Sequence, residues 1–341
     1  VKYKDAGVNI DVADKIVKAI GRKAKTTLTE GVLRGVGPFG AMYRLSSAGV
    51  EAPVLVSSID GVGTKLKIFA ELGRHEGAGY DIVSHCANDV LAEGARPLFV
   101  LDYIGASALD PAVVEKIVDG MVRACVECGC ALIGGETAEL PGTYPDGEYE
   151  LVACMLGVVD EKKIVDGASI APGDVAIGLP SSGLHTNGYS LARKVLLELA
   201  GFSLGDTLSD LGTTVGAALV APHRQYVRPV LPLVEAGLVK GIAHITGGGL
   251  PGNVSRILPE GTGLALRRGA WEIPPIFNVI QREGGVAEDE MFRTFNMGVG
   301  LVLIVEADRA GDVERAVEGA GERCWRIGEV MRGAAAFELI G

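Results

Sequence analysis

Residues 57–66 read SSIDGVGTKL and follow an apolar run, PVLV, at 53–56. Within six positions come an acid, two glycines, a hydroxyl and an ammonium: Asp60, Gly61, Gly63, Thr64 and Lys65. That is the inventory of a nucleotide-phosphate site, but a P-loop places its glycine directly before lysine and hydroxyl. Here the hydroxyl precedes the lysine, and no Gly-Lys pair occurs in the chain. The pattern predicts a strand over 53–59 that delivers Asp60 to its end, where a carboxylate can reach a hard cation such as Mg2+. Glycines at 61 and 63 let backbone N–H groups curl around phosphate oxygens, and Lys65 adds charge. Taken alone, the segment also fits a hairpin whose aspartate caps a turn.

Two further acidic spots lie in the same half. In SHCANDVLAEG (84–94), Ile82, Cys86 and Val90 make the apolar stripe of a helix spanning 79–92. Asp89, seven residues from Ile82, borders that buried face and needs a partner such as a cation. An ordinary helix-surface aspartate is the alternative. In LIGGETAELPG (132–142), an apolar strand ends on Gly134-Gly135, followed by Glu136, Thr137 and Glu139. Three acid-bearing sites suggest a polynuclear Mg2+–nucleotide centre, in which metal neutralises phosphate charge. Asp102, inside the strand LFVLDYIG (98–105), reads either as a fourth member or as a satisfied buried carboxyl.

The second half carries SSGLHTNGYSLAR (181–193), in which a strand over 175–179 runs through a polar loop into a helix over 189–199. Ser181, Ser182, Gly183, His185, Thr186, Asn187 and Gly188 offer an anion hydroxyl, amide and backbone N–H donors. His185 could polarise or protonate a reacting group, or be a surface residue. HITGGGLPGN (244–253) repeats the idea, with His244, Thr246, Gly247 and Gly248 before a helix. Residues 247–252 and 35–40 both match G-x-G-x-x-G, and two hits in one chain show how weak that pattern is. The downstream acid would be Glu272, in poor strand context, so dinucleotide binding is rejected.

At 341 residues, two domains are the default, and 48% hydrophobic with 22% charged residues is ordinary globular composition. The charged, turn-rich stretch at 160–174 marks the boundary, dividing the chain into 1–166 and 167–341. Further strands are expected over 98–103, 149–159, 241–245, 298–305 and 324–331, and helices over 111–128 and near 309–319. The class is two-domain α+β or α/β. A net charge of −11 argues against nucleic-acid binding by bulk electrostatics. No apolar run reaches the ~18 residues that span a bilayer. The first eleven residues lack a signal-peptide core, and residues are expected to precede Val1, which is not Met. Cys125 and Cys128 have no second ligand pair at metal spacing, so the six cysteines read as structural thiols of a reducing cytoplasm.

The series YKDAGVNID, DGVGTKL, ANDVLAEGARPLF, LDYI, IGGETAELPG, SSGLHTNGYSLAR, HITGGGLPGN and EMFRTFNMGVGL resembles the aminoimidazole ribonucleotide (AIR) synthetase family. These are the phosphoribosylformylglycinamidine cyclo-ligases of purine biosynthesis, and the resemblance runs in order through nearly the whole chain. It implies a homodimer paired through its N-terminal domains, with ATP and Mg2+ as cofactors and a small phosphoribosyl substrate. The reaction implied is ATP-dependent closure of formylglycinamidine ribonucleotide to AIR, with ADP and phosphate released through an iminophosphate.

On that footing Asp60, Asp89 and Glu136 would hold the metal. Gly61, Gly63, Thr64, Lys65, Asn88, Gly134, Gly135 and Thr137 would join them around ATP, with Lys25 and the 35–40 loop as outer neighbours. Ser182, Gly183, His185, Thr186, Asn187, His244, Thr246, Gly247, Gly248 and Asn296 would bind the substrate. Asp60, Lys65, His185 and Asn187 are the candidate catalytic residues. Sister ATP enzymes fit less well. Selenide water dikinase needs an early reactive cysteine, whereas the first here is Cys86, inside a helix. Thiamine monophosphate kinase is not expected to carry GGETAE and SSGLHTNG together. A scaffold that binds nucleotide without catalysis would be signalled by loss of the acids at 60, 89 and 136, and all three are present.

Overall fold

The computed structural model describes residues 10–333 and 337–341. The motif residues 3–9 and the expectation about a leader peptide lie outside the described residues. Two compact units divide the chain, one reaching to residue 90 and including 96–161, the other comprising 91–95 and 162–341.

The first unit opens with α1 (Ile10–Ala24) and the short strands β1 (Val32–Arg34) and β2 (Met42–Tyr43). Then come β3 (Pro53–Gly61), α2 (Lys65–Leu72), α3 (His75–Ala92), β4 (Arg96–Ala106), α4 (Pro111–Cys128), β5 (Ala131–Glu139) and β6 (Tyr149–Asp160). Its four-stranded sheet runs β3-β6-β4-β5, with β6 antiparallel to both neighbours and β5 parallel to β4. Period-two alternation sends Val54, Val56, Ser58 and Asp60 to one face of β3, and Leu55 and Ile59 to the other. Those two stay 52% and 70% exposed.

Helix α4 forms where its sequence signals it: Asp110 accepts the Ala112 N–H at 2.8 Å, Pro111 occupies the first turn, and Gly129 closes the helix at φ 72°. It meets α3 backbone to backbone. A Cβ at Gly79 would lie 1.8 Å from the Ile117 carbonyl oxygen, and one at Gly120 would lie 1.8 Å from that of Glu76.

Two expectations are corrected here. The stretch at 60–65 is no hairpin turn: β3 runs through Gly61, and after a left-handed Gly63 (φ 69°) helix α2 begins at Lys65. Strand β5 does not end at the glycine pair, because β4 is long enough to pair Gly134 through Glu139 with Leu101 through Ala106.

The second unit contains β7 (Val175–Pro180), α5 (Tyr189–Arg193), β8 (Thr207–Leu208), β9 (Thr213–Thr214), α6 (Val215–Leu219), α7 (Val227–Glu235), β10 (Gly241–His244) and α8 (Gly249–Val254). It continues with β11 (Thr262–Arg267), α9 (Pro275–Gly284), α10 (Glu288–Thr294), β12 (Val299–Val305), α11 (Ala310–Gly319), β13 (Trp325–Arg332) and β14 (Phe337–Ile340). The helix expected over 189–199 is α only to Arg193 and π-helical over Lys194–Leu199. The sheet order is β10-β12-β7-β13-β11-β14. Strand β12 is buried at every position, which its unbroken apolar sequence VGLVLIV anticipates. Both β7 and β10 are antiparallel to β12 and so parallel to each other. Their C-terminal ends therefore emerge at one sheet edge, about 10 Å apart. This places the loops at 181–188 and 245–248 together.

No helix among the described residues is long and apolar enough to cross a membrane. All six cysteines are free thiols, four of them buried.

Candidate active site

Asp60 leaves β3 on the same face as Ala153 of β6, toward helix α3. There it meets His85, whose Nε2 lies 2.9 Å from one Asp60 carboxylate oxygen and 3.6 Å from an oxygen of Asp89. His85 and Asp89 stand one helical turn apart, so both reach the same spot. The Ser58 hydroxyl donates to Asp89 at 2.8 Å, and the Gly61 N–H donates to Asp60 at 2.6 Å. Burial works against a charged imidazole at His85, but the hydrogen bond to Asp60 and the two nearby carboxylates outweigh it, raising its pKa. Burial likewise opposes charge at Asp60, and the bond from His85 overcomes it, so that pKa is lowered. The result is an imidazole set between two carboxylates that favour its protonated form. Sequence reasoning placed Asp60 and Asp89 but passed over His85, whose four-residue spacing from Asp89 in HCAND was the available signal.

Lys65 does not point into the loop that names it. Its ammonium is fully buried, 2.6 Å from the equally buried Asp81 of α3 and 5.2 Å from the Phe69 ring centroid. As the first residue of α2 it faces inward, so the phosphate-contact reading of Lys65 is corrected. Asn88 is also fully buried. Thr64 is partly buried at the start of α2, and Gly63 is open, with nothing within 4 Å of an added Cβ.

The three-acid metal set is corrected as well. Asp60, Ala153, Asp102 and Gly135 form one row across the sheet, whereas Glu136 pairs with Tyr103. The pleat sends Glu136 to the opposite face, three strand spacings or about 14 Å from Asp60. Glu136 instead lies near Asp102, and both line a cavity of ≈ 500 Å³ together with Gly134, Gly135, Thr137 and the 35–40 loop. Burial lifts the Asp102 pKa to about 7, and Glu136 adds to the rise. A Cβ at Gly135 would sit 2.3 Å from the Asp102 carboxylate, which accounts for that glycine. Asp102 is thus a buried carboxyl, as one of its two sequence readings held, and it borders the cavity. Lys25 is exposed and does not line the cavity.

In the second unit the loop at 181–188 folds over its own histidine. His185 is buried, and its Nε2 accepts from the backbone N–H groups of Ser182 (3.2 Å) and Arg224 (3.4 Å). Its backbone is left-handed (φ 60°), an uncommon state for a non-glycine residue. The surface reading of His185 is corrected. Asn296 is corrected too: Ser181 Oγ and the Gly298 N–H donate to its side-chain oxygen, and its amide donates to the Gly183 carbonyl, each at 2.9 Å. Those bonds brace the loop and leave little for a ligand.

Asn187 donates to Thr186 Oγ1 at 3.4 Å, and its side-chain oxygen lies 3.3 Å from where a Gly247 Cβ would be. Thr246 bonds Asn253, whose amide donates to the carbonyls of Thr246, Gly247 and Gly249 and shapes the exposed Gly247-Gly248 turn. Ser182 donates to the Pro222 carbonyl. The buried His244 lies beside His223, which sequence reasoning did not single out because it stands in no motif.

Comparison with known proteins matches both halves of this architecture. Residues 41–159 match the family described as AIR synthase related protein, N-terminal domain, and residues 171–338 match its C-terminal domain. A phosphoribosylformylglycinamidine cyclo-ligase from Cupriavidus pinatubonensis is 50% identical over 98% of this chain and 94% of its own length. One from Sorangium cellulosum is 51% identical over 97% and 95%. The chain belongs to the AIR synthase family. Among solved structures, thiamine-monophosphate kinase from Stenotrophomonas maltophilia superposes with a TM-score of 0.71 at 18% identity, covering 95% of this chain and 96% of that one. The E. coli hydrogenase maturation protein HypE gives 0.68 at 19%, covering 96% and 94%. At those identities they show the shared two-domain α/β fold.

As a member of the AIR synthase family, an ATP-using family, the chain needs a place for polyphosphate, and the expected Mg2+ can be tested against the residues present. Asp60 and Asp89 fit the ion: two oxygen donors converge, Asp60 is exposed, and the open Gly63 loop adjoins them. Glu136 does not belong to that pair.

Proposed function

We propose a division of labour between the two units for the AIR synthetase reaction that family membership assigns to this chain. In it the first unit handles MgATP and the second holds the phosphoribosyl substrate. The chemistry requires two phosphate sites, because the formamide oxygen of formylglycinamidine ribonucleotide is a poor leaving group. Transfer of the ATP γ-phosphoryl group to that oxygen gives an iminophosphate and ADP. The amidine-derived nitrogen then attacks the same carbon, closing the imidazole and expelling phosphate. Asp60 and Asp89 would hold Mg2+, which supplies charge neutralisation for the polyphosphate when bound. His85 keeps both carboxylates oriented and limits their mutual repulsion. The open Gly63 turn lets backbone approach the phosphates, and the cavity beside Asp102 and Gly134–Thr137 has room for part of the nucleotide. In the second unit, Asn187 and the backbone N–H groups of the Gly247-Gly248 turn present donors to the substrate, and the hydroxyl oxygens of Thr186 and Thr246 present acceptors.

The observation that carries this reading is the convergence of Asp60 and Asp89 on one imidazole beside an open glycine turn. Substitution Asp60→Asn should lower substrate-dependent ADP release by roughly 10²-fold or more. Full turnover in that variant would remove the metal-site assignment. Thr246→Val should raise the KM for the phosphoribosyl substrate and leave that for ATP nearly unchanged.

A homodimer formed through the open face of the first unit's sheet completes the proposal, supported by exposed Leu55 and Ile59 on β3. A cytoplasmic setting is supported by six unpaired thiols.

A further inference from the structure

Loops 181–188 and 245–248 follow strands that are not neighbours, and β12 lies between them. Two strand spacings, about 10 Å, are too wide for a direct backbone bond. A third segment, residues 221–226, crosses that gap. It is fastened to the first loop by the Ser182 hydroxyl on the Pro222 carbonyl, by the Arg224 N–H on His185 Nε2, and by the Tyr226 hydroxyl on the Pro180 carbonyl at 2.8 Å. His223 stands at its centre. Its Nδ1 lies 3.2 Å from Thr186 Oγ1, and its Nε2 lies 3.1 Å from Nε2 of His244 at the end of β10. The His185 ring stacks on it with centroids 4.2 Å apart. Below them β12 carries Gly300, where a Cβ would lie 1.9 Å from the Tyr226 hydroxyl and 2.7 Å from the His185 ring. The floor is glycine because the aromatic layer occupies that space.

We propose that His223 is a positioning residue that locks the two substrate loops into one arrangement by bridging Thr186 to His244. Two ring nitrogens 3.1 Å apart cannot face each other with lone pairs, so one N–H must point at the other's lone pair. If His223 donates at Nε2, its Nδ1 accepts from the Thr186 hydroxyl. If it accepts at Nε2, its Nδ1 donates to Thr186. In both cases Thr186, His223 and His244 share one hydrogen-bond polarity, and the direction of the Thr186 hydroxyl is set from the far loop. The inference rests on the placement of the phosphoribosyl substrate at these loops.

His223→Phe keeps the stacked ring and removes both bonds, whereas His223→Gln keeps a polar atom for His244. The bridge predicts that Phe raises the KM for the phosphoribosyl substrate ~10-fold, with that for ATP unchanged, and that Gln restores part of the loss. It also predicts a slowly exchanging imidazole N–H shared by His223 and His244 in long-range proton–nitrogen NMR spectra of the wild-type enzyme. Wild-type kinetics in the Phe variant, or no protected imidazole N–H in the wild type, would overturn the proposal. Thr246→Val separates the two layers. If it shifts the substrate KM while His223→Phe does not, the bridge alone fails; if neither shifts it, the loop assignment fails with it.

Discussion

Asp102 is held by the fold as a carboxyl that titrates near neutrality, since burial beside Glu136 has moved its pKa from 3.8 to about 7. A folded pKa above the unfolded one means that the native state binds the proton more tightly. Its stabilising effect is greatest below pH 3.8 and is lost as pH rises to about 7, above which the buried charge is a constant penalty. Asp102→Asn should therefore unfold at higher urea than wild type at pH 8, by up to about 4 kcal/mol, with the difference vanishing near pH 4. Equal urea midpoints at pH 8 would show that the carboxyl is not desolvated as described. Such a residue is read from sequence only with difficulty. LFVLDYIG shows an acid in an apolar strand, but only the pairing of β4 with β5 sets its carboxylate beside Gly135, where a Cβ would clash with it. Asp60 and Asp89 were legible because strand end and helix stripe fix their direction. His85 was passed over although its spacing from Asp89 was there to read, and His223 was not legible because its partners come from other segments.

Among the elements, α2 and α3 are joined by a buried ion pair and α3 and α4 by reciprocal glycines. Removing one partner of a buried pair leaves the other charged in a low dielectric, so Lys65→Met should cost about 3–5 kcal/mol. The double variant Lys65→Met with Asp81→Leu should recover much of that. A Lys65→Met protein with unchanged stability and a raised KM for ATP would instead return the lysine to the phosphate site. Gly79→Ala would drive a methyl against the Ile117 carbonyl, and a loss of about 3 kcal/mol is expected. A melting temperature equal to wild type would mean that the helices cross less closely. Periodicity revealed the strands at 53–59, 149–159 and 175–179 and the capped helix α4, because each carries its own apolar rhythm or end signals. It missed α2, whose opening residues had been absorbed into a ligand motif. It also ended β5 early, because only pairing with β4 carries that strand past two glycines.

In the whole molecule, sequence order already separates two sets of loop motifs, and each unit carries one of them. Within one chain the fold keeps the three acids from converging. One row of the sheet sends Asp60 toward His85 and Asp89, and the next residue along β5 sends Glu136 to the other face. In the proposed homodimer the exposed pair Leu55 and Ile59 should make assembly sensitive to charge, so Ile59→Asp is expected to halve the mass seen by sedimentation equilibrium, and an unchanged mass would remove this face from the interface. The coupled reaction is read by following ADP release from MgATP with and without formylglycinamidine ribonucleotide, with aminoimidazole product assayed in the same samples. ADP release is expected only with substrate, matched one-to-one by aminoimidazole, and both are expected to be lost in Asp60→Asn. ADP released without aminoimidazole, or aminoimidazole formed at the wild-type rate by Asp60→Asn, would contradict the proposed mechanism.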